Sequence, residues 1–272
     1  MHIGYIETAY DVETAYAGPS GAQLTPPRRR RARTGVAALL FMAALLACAG
    51  ARAQNAAPRP LGRSIAPADA KADTKADTKA PSKDEETKAL FDAIEADDMK
   101  ALEGLVKRGV HLVARNDQGE PALYTAAEKG SAQVLALLLS SGGDPRVRTA
   151  NGETALHAAA LRGDPALETL LLDAGAEPNA LNLDGETPLA WAAMAGNVPA
   201  TAALLERGAL ANAPDEHGNT PLHGAAAGGY DEVVKLLLSH KADPRRRNKD
   251  GRTARELAVE HEQEDTAKLL PP

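Results

Sequence analysis

Residues 182–214 read NLDGETPLAWAAMAGNVPATAALLERGALANAP. This stretch decides the architecture because the chain copies it. Its first glycine belongs to the series Gly119, Gly152, Gly185, Gly218 and Gly251, one every 33 residues. A spacing held without slippage means that one small unit is repeated in tandem. Each copy orders its signals alike: a turn holding the periodic glycine, a short helix, a second glycine, a longer helix and a third glycine. The second set is Gly130, Gly163, Gly196 and Gly229; the third is Gly109, Gly142, Gly175 and Gly208. The longer segment carries apolar residues at helical spacing, as in Val134, Leu135, Leu137, Leu138 and in Val233, Val234, Leu236, Leu237.

The start of the short helix has its own signature. Thr187-Pro188-Leu189-Ala190-Trp191-Ala192-Ala193 is echoed by Thr154-Ala155-Leu156-His157-Ala158-Ala159 and by Thr220-Pro221-Leu222-His223-Gly224-Ala225-Ala226. The threonine caps the helix, proline takes the first helical position where its missing N–H costs nothing, and leucine enters the core. Pro121-Ala122-Leu123-Tyr124 and Thr253-Ala254-Arg255-Glu256 are weaker copies. This pattern resembles the ankyrin repeat. The resemblance covers about residues 86–272 and implies an all-α solenoid of helix-turn-helix pairs with hairpin loops, built to bind protein partners rather than to catalyse.

The expected organisation is an N-terminal extension with an export signal over 1–53, a disordered linker over 54–86 and a repeat domain over 87–272. Its repeats are 116–148, 149–181, 182–214 and 215–247, between an N-terminal cap (87–115) and a C-terminal cap (248–272). Capping units are expected, because a bare end exposes half a core. Lys241 and Glu262 stand where the third and second glycines belong, so the C-terminal end is expected to be the weakest.

The totals agree with a stack. Hydrophobic residues are 44 % of the chain but aromatics only 3 %, so the core must be built from Ala, Leu and Val on closely packed helices. The net charge is −6; residues 1–53 carry +3, leaving −9 on the remainder. An acidic body argues against nucleic acid as partner, because phosphate binding needs a basic footprint. With one cysteine, Cys48, the chain can form no intramolecular disulfide and no cysteine-based zinc site. His157 and His223 lie two repeats apart and are expected to hydrogen-bond the adjacent hairpin rather than ligate a metal. No Ser–His–Asp set, phosphate loop or zinc spacing is present, so neither enzymatic activity nor a cofactor is expected. Arg245, Arg246, Arg247, Lys249, Arg252 and Arg255 form a local basic run diluted by Asp243 and Asp250.

Residues 28–33 read RRRRAR, residues 35–50 are charge-free and apolar, and Ala51-Arg52-Ala53 precedes Gln54. A basic stretch, an apolar stretch and an A-x-A site describe a cleaved secretory signal. Two other readings stay open: an uncleaved signal anchor, and a lipoprotein signal in which Leu45-Leu46-Ala47-Cys48 serves as the lipidation box. All three export the repeats, and together with the Ala-rich composition they point to a bacterial periplasm. Residues 54–86 balance six basic against six acidic residues with little apolar content beyond Ala, which suits a flexible spacer.

In ankyrin proteins the partner is met by hairpin tips and first helices. By position, that surface comprises Asp117, Gln118, Glu120, Glu128, Lys129, Asn151, Glu153, Leu161, Arg162, Asp184, Glu186, Trp191, Met194, Glu216, His217 and Asn219. Trp191 has two readings: core filling against Ala158 and Gly224, its equivalents one repeat either side, or an anchor on the concave face beside Met194 and Leu161. The expected function is a monomeric, non-enzymatic scaffold binding a periplasmic protein, such as an enzyme to be supported or a toxin to be neutralised. The alternative is an anchored organiser of the cell envelope.

Overall fold

The computed structural model describes residues 82–272. The residues read as export signal, and nearly all of the linker, lie outside them. Twelve helices follow in six pairs: α1 (Lys83–Glu95) with α2 (Met99–Lys107), α3 (Ala122–Lys129) with α4 (Ala132–Ser140), α5 (Ala155–Arg162) with α6 (Pro165–Asp173), α7 (Pro188–Met194) with α8 (Val198–Glu206), α9 (Pro221–Gly228) with α10 (Asp231–Ser239), and α11 (Ala254–Glu260) with α12 (Glu264–Leu269). Each first helix packs on its own second helix and on the first helices of the adjoining pairs; the second helices form a parallel row. This is the all-α repeat stack that the periodicity implies. One boundary shifts. Ser82 and Glu85 form a reciprocal capping box, so α1 starts at Lys83 and the last residues of the segment read as linker are helical.

Two ladders of side chains hold the row together. Ala93, Ala126, Ala159, Ala192, Ala225 and Ala258 share one register position on the first helices, and all are buried. Their small size lets neighbouring first helices approach closely. On the second helices, Leu105, Leu138, Leu171, Leu204 and Leu237 share another, continued by Leu270, and these are buried as well. Each such leucine removes apolar surface from water worth about 1.5–3 kcal/mol. Leu123, Leu156, Leu189 and Leu222 from the signature are buried in the same core.

The second-set glycines do more than turn the chain. Gly163 and Gly196 sit at positive φ (74° and 72°) at the ends of first helices, where only glycine enters at no steric cost. The space over each is filled from the following repeat. A Cβ at Gly196 would stand 2.6 Å from Tyr230 Cδ1, and one at Gly163 would stand 2.5 Å from Asn197 Cγ. Arg162 covers Gly130, and Gln263 covers Gly229, in the same way. Two of these pegs also satisfy helix-end carbonyls. The Asn197 amide donates to Ala160 O (3.0 Å) and Leu161 O (2.6 Å), and the Arg162 guanidinium donates to Glu128 O (2.7 Å). At the C-terminal end, Lys241 and Glu262 adopt φ of 64° and 61° without being glycine, a strain of about 1–2 kcal/mol per residue.

One residue breaks the apolar register. Glu168 occupies the position held elsewhere by Leu102, Leu135, Thr201, Val234 and Ala267, and its side chain is fully buried. Neither carboxyl oxygen has a hydrogen-bond partner. Burial, reinforced by the charge of nearby Asp164, pushes this carboxyl from its ordinary 4.5 up to about 8. The fold therefore holds a proton on Glu168 that the unfolded chain releases above pH 4.5. Its contribution to stability is present in acid and is lost as pH rises toward 8.

Two stability predictions follow from these contacts. Leu171→Ala should cost about 2–5 kcal/mol through the cavity it leaves, measured by urea unfolding; a loss under about 1 kcal/mol would show that the leucine ladder does not carry the stack. Glu168→Leu, which copies Leu135, should raise the urea midpoint far more at pH 8.5 than at pH 5. Equal gains at both pH values would contradict the buried, protonated carboxyl.

Candidate functional site

The face available to a partner is made by hairpin tips and first helices, and the tips are organised by one side chain per repeat. Asn116, Thr149, Asn182, Asp215 and Asn248 occupy one register position. Each accepts the backbone N–H groups two and four residues on, as Asn182 Oδ1 does from Asp184 (3.0 Å) and Glu186 (2.8 Å), and Asp215 Oδ1 from His217 (2.8 Å) and Asn219 (2.7 Å). Short polar side chains are used here because they can replace a backbone acceptor in a tight turn. Successive tips are then stitched together: Leu183 N–H donates to Asn151 O (2.8 Å), Glu216 N–H to Asp184 O (2.9 Å) and Lys249 N–H to His217 O (2.9 Å). The result is a continuous edge whose loop side chains stand on a braced backbone.

Several residues expected on this face serve the fold instead. Trp191 is only 6 % exposed; its indole N–H donates to Glu186 Oε2 (2.7 Å), and its ring stands edge-on to His157 at 5.3 Å. The concave-anchor reading of Trp191 is thus corrected: the ring is too deep, and Glu186 is occupied in holding it and the Asn182 amide (2.9 Å). The space over Gly224 is taken by Met194, whose Cγ would lie 2.5 Å from a Cβ there, and not by the indole. Arg162 braces the preceding helix end, as described. Asn219 joins its own Asp215 to Asn248 of the next hairpin (3.2 and 2.8 Å).

Both signature histidines are structural. His157 Nδ1 accepts the Thr154 N–H (3.1 Å), and its Nε2 lies 3.2 Å from Glu186 O; His223 repeats this with Thr220 N–H (3.2 Å) and Arg252 O (3.1 Å). The pattern fixes a neutral ring with the proton on Nε2. Burial pushes His157 down to about 4 and lowers His223 from its ordinary 6.5. The stability these rings give is complete above pH 6.5 and is lost as pH falls through the range below it.

What remains on the face is an apolar line with acidic neighbours. Leu161, 37 % exposed, and half-buried Met194 share one register position on α5 and α7. Leu181 (50 %) and Leu183 (66 %) are exposed where repeat 149–181 passes into the tip of repeat 182–214. The expected surface omits these two leucines, although the equivalent positions carry Arg115, Arg148, Pro214 and Arg247, and Asp117, Ala150, Glu216 and Lys249. Toward the N-terminal end, burial and the charges of Glu153, Glu128 and Glu120 push the Tyr124 hydroxyl up, and burial together with Glu120 raises Glu128. Lys129, Asn151, Asp184, Glu216 and His217 are exposed. The basic run near the last hairpin is partly neutralised: Arg247 meets Glu256 at 3.1 Å and Arg252 meets Glu260 at 2.6 Å. Among the described residues, no group of three or more His, Cys, Asp or Glu is placed to hold a metal ion. No helix among them is long and apolar enough to cross a membrane.

Comparison with known families agrees with this geometry. The family described as ankyrin repeats (three copies) matches residues 90–182, 131–215, 156–248 and 210–271 in overlapping placements, which together cover most of the chain. A search of curated proteins finds no match. Ankyrin repeat proteins are generally non-enzymatic binding scaffolds, and a stack whose polar core groups are nearly all engaged in bracing loops fits that description. Repeat period, paired-helix architecture, hairpin construction and family match lead to one conclusion: the chain belongs to the ankyrin repeat family.

Proposed function

We propose that this ankyrin-repeat scaffold for protein interaction works without catalysis, outside the cytoplasm in a bacterial periplasm, and grips its partner with the tips and first helices of repeats 149–181 and 182–214. One observation carries this reading. Leu161, Leu181 and Leu183 remain exposed and Met194 half-exposed on the first helices and braced tips of two neighbouring repeats, whereas the other exposed large apolar residues, Val113, Val198, Leu210 and Val259, are scattered along the stack. Exposed apolar side chains within a polar rim are the layout of an interface anchor. Export is supported by the RRRRAR segment, the apolar run over 35–50 and Ala51-Arg52-Ala53. Candidate partners are a periplasmic enzyme that the scaffold supports or a toxin that it neutralises.

The Cys48 box favours a second reading, in which a lipid anchor makes the repeats an organising post of the envelope. The two differ in the mature N-terminus. Mass spectrometry of the protein from its source cell should find Gln54 as the first residue for the free scaffold; a lipidated Cys48 would replace that reading with the anchored one.

The face itself is testable. In affinity capture from the source cell's envelope, Leu161→Glu with Met194→Glu should lose the partner that the unaltered protein retains, and Leu161→Glu alone, at the exposed position, should lose most of it with thermal unfolding nearly unchanged. Normal capture by this double variant would move the interface elsewhere.

A further inference from the structure

We infer that the element held by this face is a cationic amphipathic segment of the partner, about four helical turns long. The inference rests on the scaffold reading and adds the partner's chemistry to it.

The first observation is a gap in positive charge. Between Gly163 and Val234 the sequence has one Lys or Arg, Arg207, against eleven Asp and Glu. Arg207 is itself paired, its Nη1 lying 2.8 Å from Asp173 Oδ1. Even with Glu168 protonated, the central repeats hold a strong uncompensated negative charge. Two of these carboxylates, Asp184 and Glu216, stand exposed on adjacent hairpin tips and bond no other side chain. The Asp184 and Glu216 backbones are joined tip to tip, so the two charges are held next to each other on a fixed edge.

The second observation is an apolar line on the first helices of the same repeats. Leu161, Met194 and Ala227 repeat at one register position of α5, α7 and α9; the same position holds Glu128 before them and Glu260 after them. The apolar series thus has a defined length. It crosses two steps between packed helices of about 10 Å each, or about 20 Å, which about 13 residues of α-helix span. On the tips, Leu181 and Leu183 are exposed as well, Leu183 directly preceding Asp184.

An occupant must cover apolar side chains and neutralise carboxylates together. A nucleic acid or an anionic lipid surface brings more negative charge to a negative field and is repelled. A purely apolar segment leaves Asp184 and Glu216 beside a desolvated strip without counter-charge. A helix with leucine-like residues on one side and Lys or Arg along its flank satisfies both, and the acidic tips would also steer its approach.

The test uses fluorescence anisotropy of the full chain with two labelled 14-residue probes of the same amphipathic pattern, one of Leu and Lys, the other of Leu and Glu. The Leu/Lys peptide should bind, more weakly as NaCl is raised, and the Leu/Glu peptide should not. Asp184→Lys with Glu216→Lys should weaken binding at least about tenfold at unchanged melting temperature. Glu177→Lys with Glu206→Lys makes the same change of net charge at exposed positions away from the tips and should weaken it less than about threefold. Equal losses from the two pairs, or tight binding of the Leu/Glu peptide or of phosphatidylglycerol vesicles, would overturn the inference. Envelope capture separates the two levels. If the tip-charge variant retains the partner while Leu161→Glu with Met194→Glu loses it, the scaffold reading stands and the cationic segment is wrong.

Discussion

The stack depends on a column of buried alanines on its first helices. The series from Ala93 to Ala258 places a buried methyl group at the same point of every first helix, and only a side chain that small allows the helices to lie close enough for the leucine ladder behind them to close. A larger residue would push one pair away from the next and open the core on both sides at once. Because each repeat touches only its neighbours, the low aromatic content is no handicap: the core is a thin sheet of small groups, renewed at every step.

With stability assigned to the two ladders, the polar groups divide cleanly. Asn182, Asp215, His157, His223, Glu186 and Arg162 all look chemically capable, yet each is committed to a backbone or side-chain partner that shapes a hairpin or closes a helix end. The groups left over are Leu161, Met194, Leu181, Leu183, Asp184 and Glu216, a set suited to contact and ill suited to proton transfer. The buried Trp191 belongs with the first class, even though a lone tryptophan near a presumed interface reads naturally as an anchor.

The sequence revealed the fold because its signals are periodic and local. The glycine spacing, the Thr-Pro-Leu starts and the alternation of segments each report short-range physics that a repeat multiplies. The histidine-to-hairpin bonds were legible for the same reason. Trp191 left two readings open, and the core one holds because Glu186 takes the indole N–H and His157 of the preceding repeat packs on the ring, contacts that no local signal announces. The exposed tip leucines and the buried Glu168 were written in the sequence as departures from their own register, and they emerge only when each position is compared down the column of repeats. The start of α1 shifted because a capping box at Ser82 and Glu85 outweighs the polar composition around it.

The pegs over the second-set glycines carry a further consequence. Each pit is filled by a different residue: a guanidinium from Arg162, an amide from Asn197, a phenol ring from Tyr230 and an amide from Gln263. The units look interchangeable at the level of their ladders, but these junctions are individually keyed. Shuffling the modules, or deleting one to shorten the array, would bring an ill-fitting plug to a hole shaped for another. The order of the copies is therefore part of the design, and this domain cannot be treated as beads on a string.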